Sequence, residues 1–231
     1  MSIWLQISGL VLSILVGGLL SDMFKRTSHL KLLLSFSGGF LIALIFLHIL
    51  PESYESYGNR AGFCILIGFL LQLALEYFSK GAEHGHFHVH EHAKSAFPLA
   101  IFLSLSVHAL IESVPLGTAQ EELNPLYWGI LLHKIPEGIT LSVIFRSAGY
   151  SARYTWIMLL IFSIIAPCGY ILGYCMTDLS FEGLSLLLAV VVGMLIHVST
   201  TIIFESSESH KISLLKLTAI VLGFAAAALI P

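Results

Sequence analysis

The sequence predicts an all-α membrane protein of eight transmembrane helices, and three observations lead there. The chain is 57% hydrophobic and 11% charged over 231 residues, with a mean hydropathy of +0.90, whereas about a quarter of the residues of a soluble domain carry charge. Charged and turn-forming residues cut the chain into apolar stretches of about 20 residues, the length a helix needs to cross hydrocarbon. Basic residues gather in alternate connections between those stretches, the signature of a chain that threads back and forth under the positive-inside rule.

The first stretch, Ser2–Leu20, lacks the basic start and small-residue cleavage site of a secretory leader, so it reads as a retained span. Lys31–Leu50 follows a connection holding Lys25 and Arg26, and Ala61–Ser79 follows one holding Glu52, Glu55 and Arg60. Residues 80–95 form a His-rich connection flanked by Lys80 and Lys94. Ala96–Thr118 and Pro125–Phe145 are the fourth and fifth spans, parted by Glu121 and Glu122. Arg146 and Arg153 mark the approach to Arg153–Met176, Asp178 and Glu182 the approach to Gly183–Phe204, and Lys211 and Lys216 the start of Ile212–Ile230. The first, third, fifth and seventh connections thus hold nearly all the base, which places both termini outside and the His-rich loop in the cytoplasm. Little chain remains for anything soluble, so residues 1–231 read as one polytopic domain integral to the plasma (inner) membrane.

Several function classes drop out. A formal net charge of −3 and the lack of a basic stripe argue against nucleic acid. The chain holds no Gly-x-x-x-x-Gly-Lys-Ser/Thr loop, so ATP does not drive it. Cys64, Cys168 and Cys175 fall inside spans without the paired spacing of a thiolate zinc site, and read as small apolar fillers.

The chemistry lies in two pairs, His108 with Glu112 and His133 with Glu137, each four residues apart and therefore on one face of a helix. A charged side chain in hydrocarbon costs about 2.5–3.5 kcal/mol even on lenient scales, and such residues mark ion or proton pathways. A purely structural network would bury two carboxylates with few cations to pair, at several kcal/mol each, and a divalent cation resolves that directly. Pro115 lies three residues after Glu112, and Pro136 stands between His133 and Glu137; both predict helices kinked at the site. Two imidazoles and two carboxylates suit Zn²⁺, with Fe²⁺, Mn²⁺, Co²⁺ and Cd²⁺ as competitors, while Ca²⁺ and Mg²⁺ want mostly oxygen. The competing class is an intramembrane zinc-dependent hydrolase, although the His-Glu-x-x-His pattern is absent; a channel-like metal facilitator is a third reading.

Other polar residues are secondary. The loop alternates imidazole with other groups at His84, His86, His88, His90 and His92, which suits metal capture or sensing better than an inert linker. His48 and His197 either line an entry path or are packed, hydrogen-bonded histidines. Gln72 and Glu76, one turn apart, read as a structural or interfacial polar pair. Ser104 and Ser106 face a hydrated path or bond their own helix, and Ser199, Thr200 and Thr201 suit close helix contact.

These residues resemble a family. His133-Lys134-Ile135-Pro136-Glu137-Gly138 is similar to the fifth-span signature of the ZIP family of metal-ion transporters, and His108-Ala109-Leu110-Ile111-Glu112 to a looser form of its fourth. Phe46 to Ser53, and Ala166-Pro167-Cys168-Gly169 with Gly173, are similar to the second and sixth spans, so the resemblance covers essentially the whole chain. It implies a 3+2+3 arrangement in which the first and last three spans form an inverted repeat, of which Gly39-Phe40-Leu41-Ile42 before Glu52-Ser53 and Gly193-Met194-Leu195-Ile196 before Glu205-Ser206 are a trace. It also implies divalent metal moving toward the cytoplasm by alternating access, with spans one, four, five and six sliding against two, three, seven and eight. Where many members hold a second metal this chain has Ala109, Lys134 and Ala166, which implies one metal, with Lys134 as counter-ion of the empty site. The partners expected are divalent metal ions and the lipid bilayer, with a homodimer left open.

Overall fold

The computed structural model describes residues 2–22, 27–79, 99–118, 125–177, 182–205 and 213–230, with backbone alone at 27–28, 182–185 and 205. Among the described residues the regular structure is all helical: α1 Ile3–Leu20, α2 Thr27–Leu44, a π turn Ile45–Ile49, α3 Leu50–Tyr57, α4 Asn59–Ser79, α5 Leu99–Thr118, α6 Pro125–Ser147, α7 Ala152–Ser163, α8 Ile165–Met176, α9 Glu182–Glu205 and α10 Leu214–Ala228. The π turn joins α2 and α3 into one rod, and α7 runs into α8, so the described residues form eight rods. Six are long and apolar enough to cross a membrane. The α6 rod falls short because His133, Lys134 and Glu137 lower its hydropathy, and α10 is 15 residues long. The protein is an integral membrane protein.

Helix boundaries differ from the sequence expectation in a consistent way. Both interruptions lie just ahead of prolines. Leu50 N–H reaches back five residues to Ile45 O, and the next residue, Pro51, has no N–H to offer Leu47. The break at Ile164 lies next to Ser163, the carbonyl that Pro167 leaves without a donor. By contrast α5 and α6 stay helical through Pro115 and Pro136. The second span also continues to Tyr57 instead of ending at Leu50, which puts His48 within the rod rather than near its end.

Glycine sets the packing. A Cβ on Gly17 would strike Ile135 O and one on Gly138 would strike Ile14 O, locking α1 to α6. Gly117, Gly169 and Gly173 do the same for α5 and α8, Gly39 and Gly223 for α2 and α10, and Gly68 and Gly193 for α4 and α9. Backbones this close gain dispersion that lipid-facing helices otherwise lack. Four pairs pack most closely, α2 with α10, α4 with α9, α5 with α8 and α1 with α6, and lighter contacts, α2 with α9, α2 with α6, α4 with α5, α1 with α7 and α5 with α9 among them, join the pairs into one bundle.

Polarity runs inside out relative to a soluble protein. Trp4, Phe63, Leu66, Tyr77, Leu215 and Leu222 are exposed around the bundle, whereas Gln72, His108, Glu112, His133, Lys134, Glu137 and His197 are buried within it. Cys168 and Cys175 are exposed and Cys64 half-buried, so the two former face outward rather than filling gaps in the packing.

Candidate metal centre

Helix α5 carries His108 and Glu112 one turn apart, and α6 carries His133, Lys134 and Glu137. All five side chains are buried. His108 Nε2 lies 3.2 Å from Glu112 Oε2 and 3.6 Å from Glu137 Oε1, and His133 Nε2 lies 3.3 Å from the same Glu137 oxygen. The imidazoles meet edge to face, with centroids 6.1 Å apart. One ligand atom each from His108, His133 and Glu137 falls within a 4.8 Å group. A tetrahedral ion with bonds of about 2.0–2.2 Å holds its ligand atoms roughly 3.5 Å apart, so only a small contraction separates this geometry from a metal-bearing one.

Glu112 stands beside that triad with its two oxygens divided. Oε2 faces His108, while Oε1 is ion-paired with Lys134 Nζ. The same ammonium reaches Glu137 Oε2 at 2.7 Å and lies 5.9 Å from the centre of the Phe162 ring. Lys134 and Glu112 are both 0% exposed, so the lysine bridges two carboxylates at a point water does not reach. His108 Nε2, Glu112 Oε2 and Glu137 Oε1 are sealed from solvent, with His108 Nε2 3.2–3.6 Å from the two carboxylate oxygens, a grouping of buried acceptors that calls for a proton or a cation among them.

A cavity of about 10 Å³, the room one water molecule takes, opens beside these atoms. His108, His133, Glu137 and Thr140 line one side of it, and Leu34 of α2 with Val198 and Ile202 of α9 line the other. Leu105 of α5 and Pro136 of α6 complete the lining, so the donors come from α5 and α6, and α2 and α9 bring apolar side chains alone.

Sequence reasoning missed one contact at this site. Gln72 of α4, 0% exposed, lies with Oε1 2.8 Å from His108 Nδ1. Read by spacing it belongs with Glu76, yet Glu76 Oε2 instead lies 3.2 Å from His197 Nε2 of α9, whose ring packs edge-on against Phe69. His197 is thus outside the cluster, and so is His48, half-buried on the π turn with Nε2 sealed and unbonded. Ser104 donates across to Leu75 O of α4 at 2.8 Å, whereas Ser106, Ser199, Thr200 and Thr201 bond their own helices. Ala109 and Ala166 are buried and bring no donor atom near the lysine. His84, His86, His88, His90 and His92 lie outside the described residues.

Comparison with known proteins places the chain in a family. The profile of the ZIP Zinc transporter family matches residues 79–231, which include every one of the donors above. Zinc transporter ZIP1 of Plasmodium falciparum is 23% identical over 274 residues, an alignment spanning 83% of this chain and 76% of that protein. Zinc transporter ZIP1 of Danio rerio is 28% identical over 153 residues, 63% of this chain and 50% of that protein. Protein zntD of Dictyostelium discoideum is 25% identical over 169 residues, 65% of this chain and 25% of that protein. The profile covers well over half of the chain and takes in the whole buried donor set, and this chain belongs to the ZIP family of metal transporters.

Proposed function

We propose that this chain carries divalent transition-metal ions, zinc foremost, toward the cytoplasm by alternating access through one site formed by His108, Glu112, His133 and Glu137. The observation that carries the reading is the convergence of His108, His133 and Glu137 from α5 and α6 on one buried point, with Glu112 against His108 beside it. Similarity to proteins named zinc transporters supports zinc as the cargo; Fe²⁺, Mn²⁺, Co²⁺ and Cd²⁺ suit the same donors. Lys134 keeps the empty site close to neutral, and an arriving cation takes over its carboxylate oxygens. With alanine at positions 109 and 166, one ion fills the site rather than two. The protein acts as a carrier and not as an enzyme.

The architecture proposed is 3+2+3 with an inverted repeat. Exchanging the first three rods with the last three, and α5 with α6, turns the glycine contact of α2 with α10 into that of α9 with α4. The same exchange turns the contact of α1 with α6 into that of α8 with α5, so the four contacts interchange in pairs. For alternating access, α1, α5, α6, α7 and α8 slide as one group against α2, α4, α9 and α10, past Leu34, Val198 and Ile202, and so move the site from one aqueous side to the other. The termini lie outside, and the His-rich loop receives metal on the cytoplasmic face.

Zinc uptake into liposomes holding the purified protein tests this. Glu137→Ala, with helical content and elution profile unchanged, lowers uptake roughly tenfold or more, since losing even an outer partner costs a metal site that much. Normal uptake by that variant refutes the site.

A further inference from the structure

We propose that Gln72 is a positioning residue of the metal centre: its amide oxygen holds the ring proton of His108 on Nδ1 and so presents Nε2, bare of hydrogen, to the metal. The inference rests on the site proposed above. A neutral imidazole has one N–H and one lone pair, and a metal can use it only where the lone pair lies. His108 Nε2 faces Glu112 and Glu137, so Nε2 is the nitrogen a metal would take, and with metal there the one proton of the neutral ring sits on Nδ1. Nδ1 is also buried, and Gln72 Oε1 stands 2.8 Å from it, at the place of an acceptor.

Backbone contacts, not chance, hold the amide there. One turn before Gln72, Gly68 packs on the backbone of Val190; one turn after it, Glu76 pairs with His197 at 3.2 Å, so α4 is tied to α9 on both sides of the amide. One turn before His108, the Ser104 hydroxyl ties α5 to α4 through Leu75 O at 2.8 Å. The second imidazole has no such arrangement, for His133 Nδ1 is sealed and unbonded. The two histidines are therefore unequal: one is pre-set for metal by a partner 36 residues away, and the other is left to turn as an ion arrives.

The test compares Gln72→Met, Gln72→Glu and His108→Ala in proteoliposomes, with zinc as probe and a thermal midpoint in detergent as the control for folding; Gln72→Leu replaces Gln72→Met if the latter does not fold. The methionine variant raises the KM for zinc about ten- to a hundredfold, the usual cost of removing a ligand's outer hydrogen-bond partner, and leaves the maximal rate near that of the parent. Gln72→Glu keeps an acceptor oxygen beside Nδ1 and restores the KM. If His108→Ala abolishes uptake while Gln72→Met keeps the parental KM, the role of Gln72 is refuted and the site stands. Equal impairment of the methionine and glutamate variants also refutes it, since packing alone then explains the residue. If His108→Ala itself transports normally, the site reading fails and this inference with it.

Discussion

An ammonium that water never touches is tolerable only with anions against it, and Lys134 has Glu112 and Glu137. Removing one member of such a group leaves uncompensated buried charge at about 3–5 kcal/mol. Lys134→Met should therefore destabilise the metal-free protein by about that amount, while saturating zinc, which binds only the folded state, should recover most of it. Thermal midpoints of parent and variant in chelator and in zinc check this: the zinc-induced rise is larger in the variant, and equal rises refute the counter-ion role. The His-x-x-x-Glu pairs were legible because a four-residue spacing fixes a shared helix face. So was the lysine, as a charge in an apolar span with carboxylates nearby. Gln72 was not: spacing joins it to Glu76, and only the packing of α4 between α5 and α9 sends one residue to His108 and the other to His197.

At the scale of the helices, hydrophobic length located the rods, and glycine decides how they touch. Gly193 lies with its α-carbon against Ile65 O and Phe69 N of α4, whereas a Cβ on Gly62 meets only the hydroxyl of Tyr54, the tip of an exposed side chain. Gly193→Val must push α9 from α4 and should cost about 1–3 kcal/mol or more, as overpacking does. Gly62→Ala should stay within about 0.5 kcal/mol. Unfolding midpoints of the two variants check the pair; equal sensitivity would mean that the α4 and α9 backbones do not meet as described. Proline was less legible than glycine. The sequence points to Pro115 and Pro136, but the helix opens near Pro51 and Pro167 and stays helical through Pro115 and Pro136, because the surrounding packing decides whether a lost hydrogen bond becomes an interruption.

For the molecule as a whole, the count of rods could be read from charge clusters, but not their partners, since the glycine contacts join segments as distant as Gly39 and Ile220. That pairing sets the donors of α5 and α6 against Leu34 of α2 and Val198 and Ile202 of α9. A cavity of about 10 Å³ between them holds one small occupant, so a hydrated ion cannot run through this arrangement as it would through an open pore. On the carrier reading proposed above, an ion sheds water, binds, and waits for the two proposed helix groups to shift. Zinc flux into proteoliposomes should accordingly saturate with concentration. Unlabelled zinc loaded inside should speed the entry of labelled zinc, because a site that returns occupied is offered again to the outside. A continuous pore gives neither effect: its flux climbs in proportion to external zinc, and internal zinc only opposes entry. Linear flux without counterflow would therefore show that the two helix groups part to leave a path, and that the apolar wall is a gate rather than the surface along which the site travels.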